Sequence, residues 1–233
     1  MEIHFNEVHT PPIPAATVVL LRSGQNGLEV LLQKRHQNLS VLGGAYVFPG
    51  GKIDTLDQAP ELHAFLDQSA HHLQHKQSLL DLHEHMQIGA FMAAIRELWE
   101  ESSILLGQTN STLELKQQQA VIEVATAQLK NGHVFNKLVQ EHQIQLGTRF
   151  LQPWSRWITP KTPSVSSKRF DTLFFVAQMP DGQLATHDEQ EVTQSVWLNP
   201  TKALEQYWAG EVELAPPQIM TLAELSHFNS PTE

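Results

Sequence analysis

The polar and apolar positions divide the chain into short, alternating elements. Ala15 to Arg22 and Leu28 to Gln33 are apolar runs rich in valine and leucine, joined by the turn chemistry of Ser23 to Gly27. That pattern predicts a β-hairpin. Tyr46 to Phe48 is a short strand closed by Pro49, since proline cannot donate to a ladder. From about residue 58 to 87, Leu62, Phe65, Leu66, Leu73, Leu79 and Leu80 recur at roughly helical spacing. Further helices are predicted over Lys116 to Lys130, ended by Asn131-Gly132, and over His133 to His142. Leu151 to Thr159, Phe170 to Gln178 and Gln194 to Leu198 read as strands, with a turn at Asp181-Gly182. Asn199-Pro200 opens a helix with a cap and a first-turn proline, and Pro216-Pro217 opens a last helix ending near Phe228. Strands and helices alternate irregularly, without repeats, so the fold class is α/β or α+β in one layered domain.

The stretch from Ala94 to Ile104 reads as helix and gathers Glu97, Glu100 and Glu101. At about 100° per residue these fall on one side, and Ile88, Phe91, Met92, Ile95, Leu98 and Trp99 fall roughly opposite. One face buries itself and the other presents carboxylates. Adjacent carboxylates repel, and a hard divalent cation with oxygen ligands converts that cost into a site. The bland alternative is a solvated acidic face. Upstream lies the glycine pair of Phe48-Pro-Gly-Gly-Lys-Ile-Asp54, where glycine predicts positive φ and close approach to a ligand.

Gly51 followed by Arg96-Glu97-Leu98-x-Glu100-Glu101 resembles the Nudix box, G-x5-E-x7-R-E-U-x-E-E-x-G-U with U apolar. Three departures stand out: Asp57 replaces the first glutamate, Ser103 replaces the late glycine, and the spacer from 58 to 95 carries about 31 extra residues. Long insertions here resemble the branch of the peroxisomal coenzyme A diphosphatase and its bacterial relatives, as do Phe-Pro-Gly-Gly, Trp157-Ile-Thr-Pro160 and Arg169-Phe-Asp-Thr-x-Phe-Phe175. The resemblance implies a Nudix-type α/β/α sandwich with a central mixed sheet, the box as loop-helix-loop, and a mainly helical insertion at about 58–87 in a single domain of residues 1–233. It implies Mg²⁺ or Mn²⁺ held by Glu97, Glu100, Glu101 and the Gly51 carbonyl. A remote acid commonly completes such sites. Asp188, Glu189 and Glu191 are the candidates, with Glu191 taken as the metal-facing one. Arg96 belongs to the catalytic box; its expected work is to pair with a box acid, Asp57 or Asp54, and hold the glycine loop to the helix. Glu97 and the 188–191 loop compete as general base.

Composition bounds the partners. The formal net charge of −10 argues against broad nucleic-acid binding. No run approaches the roughly 18 apolar residues of a membrane span. The start lacks a signal-peptide pattern, there is no cysteine, and the terminal Pro-Thr-Glu is not a peroxisomal address of the Ser-Lys-Leu type, so a cytoplasmic location is expected. A homodimer is compatible with all of this.

Against the acidic balance, residues 142–170 carry Arg149, Arg156, Lys161, Lys168 and Arg169 and no acid. Arg156, Lys168 and Arg169 are therefore candidates, with Arg35, for binding the substrate's anionic groups; a basic surface loop is the plain alternative. Trp154 and Trp157 either stack on an adenine or fill a core. His71 and His75, four apart in the histidine-rich insertion, have the spacing of a shared metal, but no fuller ligand pattern accompanies them, and a solvated helix face is preferred. The expected substrate is a small nucleotide-linked diphosphate, with coenzyme A or acyl-coenzyme A in front. Leu31-Leu-x-x-Arg35 ahead of Phe-Pro-Gly-Gly supports this, because it resembles part of a coenzyme A signature. The alternatives are ADP-ribose, a dinucleotide, or a Nudix-fold module that has lost catalysis.

Overall fold

Residues 15–21 of the first strand, β1 (Ile13–Gly24), are all buried, because both faces of that strand are covered. Ala16, Val18 and Leu20 point into one hydrophobic core and Val19 and Leu21 into another, the strict alternation of a pleated strand. The computed structural model describes residues 7–77, 84–109, 113–162, 168–186 and 191–233.

β1 and β2 (Gly27–Arg35) form the expected hairpin, with Leu21 opposite Val30 and Gly24 opposite Gly27. Gly27 has φ +104°, which only glycine adopts without strain. Beyond Leu21 the two strands part. Into the gap come β3 (Tyr46–Val47), antiparallel to β2, and β4 (Gly50–Lys52), antiparallel to β1. The glycine pair is thus a strand, and neither glycine has the expected positive φ. β7 (Gln152–Ile158) pairs antiparallel with β8 (Phe170–Gln178), and β8 runs parallel to β1. β9 (Val192–Leu198) lies antiparallel on β2. One parallel pair within antiparallel ladders makes the sheet mixed. β5 (Gly107–Gln108) and β6 (Gln145–Leu146) form a separate two-stranded ribbon.

Helix α2 (Glu84–Ser102) covers one face, with α1 (Ala70–Gln77), α3 (Leu115–Lys130) and α4 (Phe135–Glu141) around it. On the other face are α5 (Pro200–Trp208), capped by the Asn199 side chain, and α6 (Pro216–Leu225). Helices on both faces of a mixed sheet give the expected sandwich. Among the described residues no helix is long and apolar enough to cross a membrane.

The insertion departs from a plain helical hairpin. It begins as 3₁₀ turns at Thr55–Gln58 and Pro60–Phe65 before α1, and its last residues from Glu84 are already the first turn of α2. Leu62, Leu66 and Leu73 are buried in the same core as the sheet, so the insertion is part of that core. Leu79, Leu80 and His83 lie outside the described residues, as do the side chains of His75 and His85; His71 is exposed.

Candidate functional site

Helix α2 crosses the place where β1 and β2 part. From Ala90 to Ile95 every residue is buried, so the helix is apolar nearly all round in its middle and changes character only at Arg96. The acidic side that follows is not an open surface. Glu97 keeps 15 % of its side-chain area exposed and Glu100 37 %, and both face the loop of β4. Here the two glycines act by proximity: a Cβ at Gly51 would collide with the Glu97 carboxylate, and one at Gly50 with Thr17 and the Ala16 carbonyl. The lack of a Cβ here accommodates crowding by Glu97, Thr17 and Ala16, without the left-handed backbone expected of these glycines.

Arg96 is buried beneath this surface. Its Nε and Nη2 donate to the two Asp57 oxygens at 2.8 and 2.9 Å, a bidentate pair, and Nη2 also donates to the Lys52 carbonyl at 3.0 Å. Nη1 donates to Glu97 Oε1 at 2.8 Å and to Glu100 Oε2 at 2.9 Å. One guanidinium therefore ties helix, β4 loop and 3₁₀ turn together. Asp57, 1 % exposed, is the acid that pairs with it; Asp54, 4.0 Å away and open to solvent, contributes its backbone N–H to Asp57 instead. Asn136 of α4 donates to the Leu56 carbonyl at 2.9 Å, tying the turn that carries Asp57 to that helix. Burial works against charge on Arg96, but the Asp57 hydrogen bond and the charges of Glu97, Asp57 and Glu100 outweigh it and hold its pKa above the ordinary arginine value.

The glutamates shift the other way. Burial pushes Glu97 up to about 7 against the pull of Arg96. Burial, with the Glu97 charge, pushes Glu101 up to about 8, opposed by the Gly50 N–H and Arg35. Glu100 is raised by burial as well, against Arg96. Glu101 Oε2 accepts from Gly50 N at 2.9 Å. Glu191 adds to its upward shift and pairs with Arg35 at 3.7 Å, so the structure brings Arg35 and Glu191 to the glutamate end of α2. Arg35 also donates to the Val41 carbonyl at 3.2 Å, holding the loop before β3. Asp188 and Glu189 lie outside the described residues.

Among the described residues no three His, Asp or Glu side chains stand close enough to share one ion as they are, because Arg96 Nη1 sits between Glu97 and Glu100. The donor set nevertheless suits a cation: carboxylates whose charge is costly, beside a strand kept free of side chains.

The helix ends at Ser102, and Ser103 takes the left-handed conformation, φ 60°, that glycine would occupy. The serine is tolerated at a strain cost.

The basic segment is a different matter. Arg156 is held bidentately by Asp171 at 2.7 and 2.7 Å, and Arg149 is paired with Asp67 at 3.3 Å. Arg169 donates to the Thr159 and Thr10 carbonyls at 3.0 and 3.1 Å, tying the chain's first described residues to the β7–β8 end. The lack of acids within the segment does not leave Arg156 or Arg149 uncommitted, because their acids come from outside it. Lys168 is exposed. Arg156 lies on the row Arg156–Leu173–Ala16–Gly51, three strands from Gly51, about 14 Å at 4.8 Å per strand. Trp154 and Trp157 pack on the core under α5 and α6.

Two residues escape a reading of the sequence. Asn136 is polar among the buried Phe135, Leu138 and Val139, and Gln33 is polar and fully buried next to Leu31 and Leu32. A polar residue at an apolar position was the available signal.

The family model described as the NUDT19 Nudix domain matches residues 10–225. The acyl-coenzyme A diphosphatase NUDT19 of Xenopus laevis is 29% identical over 229 residues, covering 86% of this chain and 60% of that protein. The human protein of the same name is 24% identical over 235 residues, covering 88% of this chain and 62% of its own. The chain thus spans about three-fifths of the curated relatives it matches. The crystal structure of a NUDIX hydrolase from Alicyclobacillus acidocaldarius superposes with a TM-score of 0.75 at 24% identity, covering 95% of this chain and 94% of that one; it shows the same fold.

Proposed function

The chain belongs to the NUDT19 Nudix-domain family, and on that premise we propose that it is a metal-dependent hydrolase cleaving the diphosphate of coenzyme A or acyl-coenzyme A. The observation that carries this is the packing of Gly50-Gly51 against Glu97 and Glu101, with the Glu101 carboxylate on the Gly50 N–H. Three carboxylates with raised pKa values are concentrated where the backbone lies bare.

Glu97, Glu100 and Glu101 with the Gly51 carbonyl would hold Mg²⁺ or Mn²⁺, and Glu191, paired with Arg35 at 3.7 Å, would support them. Such an ion neutralises diphosphate oxygens and lowers the pKa of water. The protein's own contributions follow from its contacts. Arg96 holds the glycine strand at a fixed distance from α2, a positioning role. Glu97, oriented by Arg96 at 2.8 Å, would be the general base that takes the proton as water attacks phosphorus. The anhydride P–O bond breaks, leaving a 3′,5′-bisphosphoadenosine half and a phosphopantetheine half. Arg35, which orders the loop before β3, and the exposed Lys168 would meet the substrate's anionic groups. Arg156 and Arg169 would contribute there only by giving up their present partners.

Purified protein with Mg²⁺ or Mn²⁺ and a panel of coenzyme A, acetyl-coenzyme A, ADP-ribose and a dinucleotide tests this, with products resolved by mass. Formation of the two halves from the coenzyme A substrates is expected. Cleavage of ADP-ribose or the dinucleotide alone would remove the coenzyme A assignment and leave the hydrolase. No cleavage of any member would favour a binding module.

A further inference from the structure

We propose that Gln33 is a positioning residue that holds Glu101 for the divalent cation, an inference resting on the metal-dependent function above. Gln33 has no accessible surface. It lies two residues from Leu31 on β2 and so shares its sheet face, the one packed on α2. A leucine or methionine would supply the apolar packing of this position, whereas a buried amide is unfavourable unless its polar atoms are bonded. Its Nε2 is bonded: it donates to the Glu101 carbonyl at 3.0 Å, one of the last carbonyls of α2, which have no partner within the helix. A second contact, to Ser195 Oγ at 3.5 Å, is at the limit of a hydrogen bond.

Two features go beyond a helix cap. The first is that Glu101 is gripped at both ends. β2 holds its carbonyl through Gln33, and β4 holds its carboxylate through the Gly50 N–H. β2 borders the gap in the β1–β2 hairpin and β4 lies within it, so the gap itself sets where this carboxylate stands. The second is that Gln33 Oε1 meets no donor among the described residues. Mg²⁺ and Mn²⁺ keep several of their waters, and a neutral acceptor beside the acidic cluster can take a hydrogen bond from one without adding negative charge. Groups that orient metal-ligating side chains change affinity by about 10- to 100-fold when lost.

The test is Mn²⁺ titration of the EDTA-treated full chain, with free Mn²⁺ followed by electron paramagnetic resonance. Wild type, Gln33→Met and Glu101→Gln are compared, and the melting temperature of each metal-free protein is recorded. The expected result is a Kd weakened about tenfold or more in Q33M, with its metal-free melting temperature lowered by only a few degrees, since the Glu101 carbonyl loses its donor. A Q33M Kd within twofold of wild type, where E101Q has lost binding, overturns the Gln33 inference and leaves the metal site standing. Equal Mn²⁺ binding by wild type and E101Q overturns both. Should Q33M fail to fold, Gln33→Asn keeps the amide, shortens its reach, and is held to the same outcomes.

Discussion

Replacing Glu101 by Gln isolates the cost of burying charge at this site. The amide keeps the shape and an oxygen to accept from the Gly50 N–H, which Glu101 Oε2 takes at 2.9 Å. In wild type the carboxyl is pushed from 4.5 to about 8, first by burial and then by the Glu97 charge. Between those values the folded protein holds a proton that the unfolded chain has released, so stability falls as pH rises. At about 1.4 kcal/mol per pKa unit the loss by pH 8.5 has a ceiling of about 5 kcal/mol. Glu101 keeps part of its surface open to solvent, and screening reduces the expectation to about 2–3 kcal/mol. Metal-free E101Q should therefore melt about 5–10 °C above wild type at pH 8.5 and nearly level with it at pH 5. Saturating Mn²⁺ should reverse the order: a ligand at 100 times its Kd adds about 2.7 kcal/mol to wild type and much less to the variant. Scanning calorimetry at the two pH values, with EDTA and with Mn²⁺, reads all four states. A metal-free E101Q that is less stable than wild type at pH 8.5 would refute the reasoning.

Arg96→Ala leaves Asp57 buried without its partner, and should cost about 3–5 kcal/mol along with most activity; urea denaturation and turnover are measured together, and lost activity at unchanged stability would point to substrate contact instead. Ser103→Gly relieves a left-handed residue and should raise stability by about 1 kcal/mol with turnover unchanged, read as a shift in urea midpoint. Arg156→Ala breaks the pair with Asp171, so it should lower the melting temperature and affect coenzyme A and dephospho-coenzyme A alike. Lys168→Ala should instead reduce kcat/KM for coenzyme A by about tenfold and spare dephospho-coenzyme A; equal loss on both substrates would exclude it as a reader of the 3′-phosphate.

Much of the architecture is local in origin and so is visible in the chain. The β1–β2 hairpin follows from two valine- and leucine-rich runs around a glycine turn. The start of α5 follows from Asn199-Pro200, whose side chain does cap the helix, and the end of α3 from Asn131-Gly132, with Gly132 at φ +84°. The glutamates are legible for the same reason: a spacing of three and four places them on one turn of one helix. β4 was missed because a three-residue strand has too few positions to show a period.

Local sequence dictates which elements form and which chemistry α2 carries. The partners of those side chains were set by packing. Arg96 pairs with Asp57 and not Asp54, in a turn that Asn136, distant in the chain, ties to α4. Arg156 looked uncommitted until strand pairing brought Asp171 beside it. Gln33 became meaningful only when α2 ended over it. The physical reason is common to all three. Propensity and periodicity act over a few residues, whereas hydrogen bonds and ion pairs depend on distances of about 3 Å, which packing sets between segments far apart in sequence.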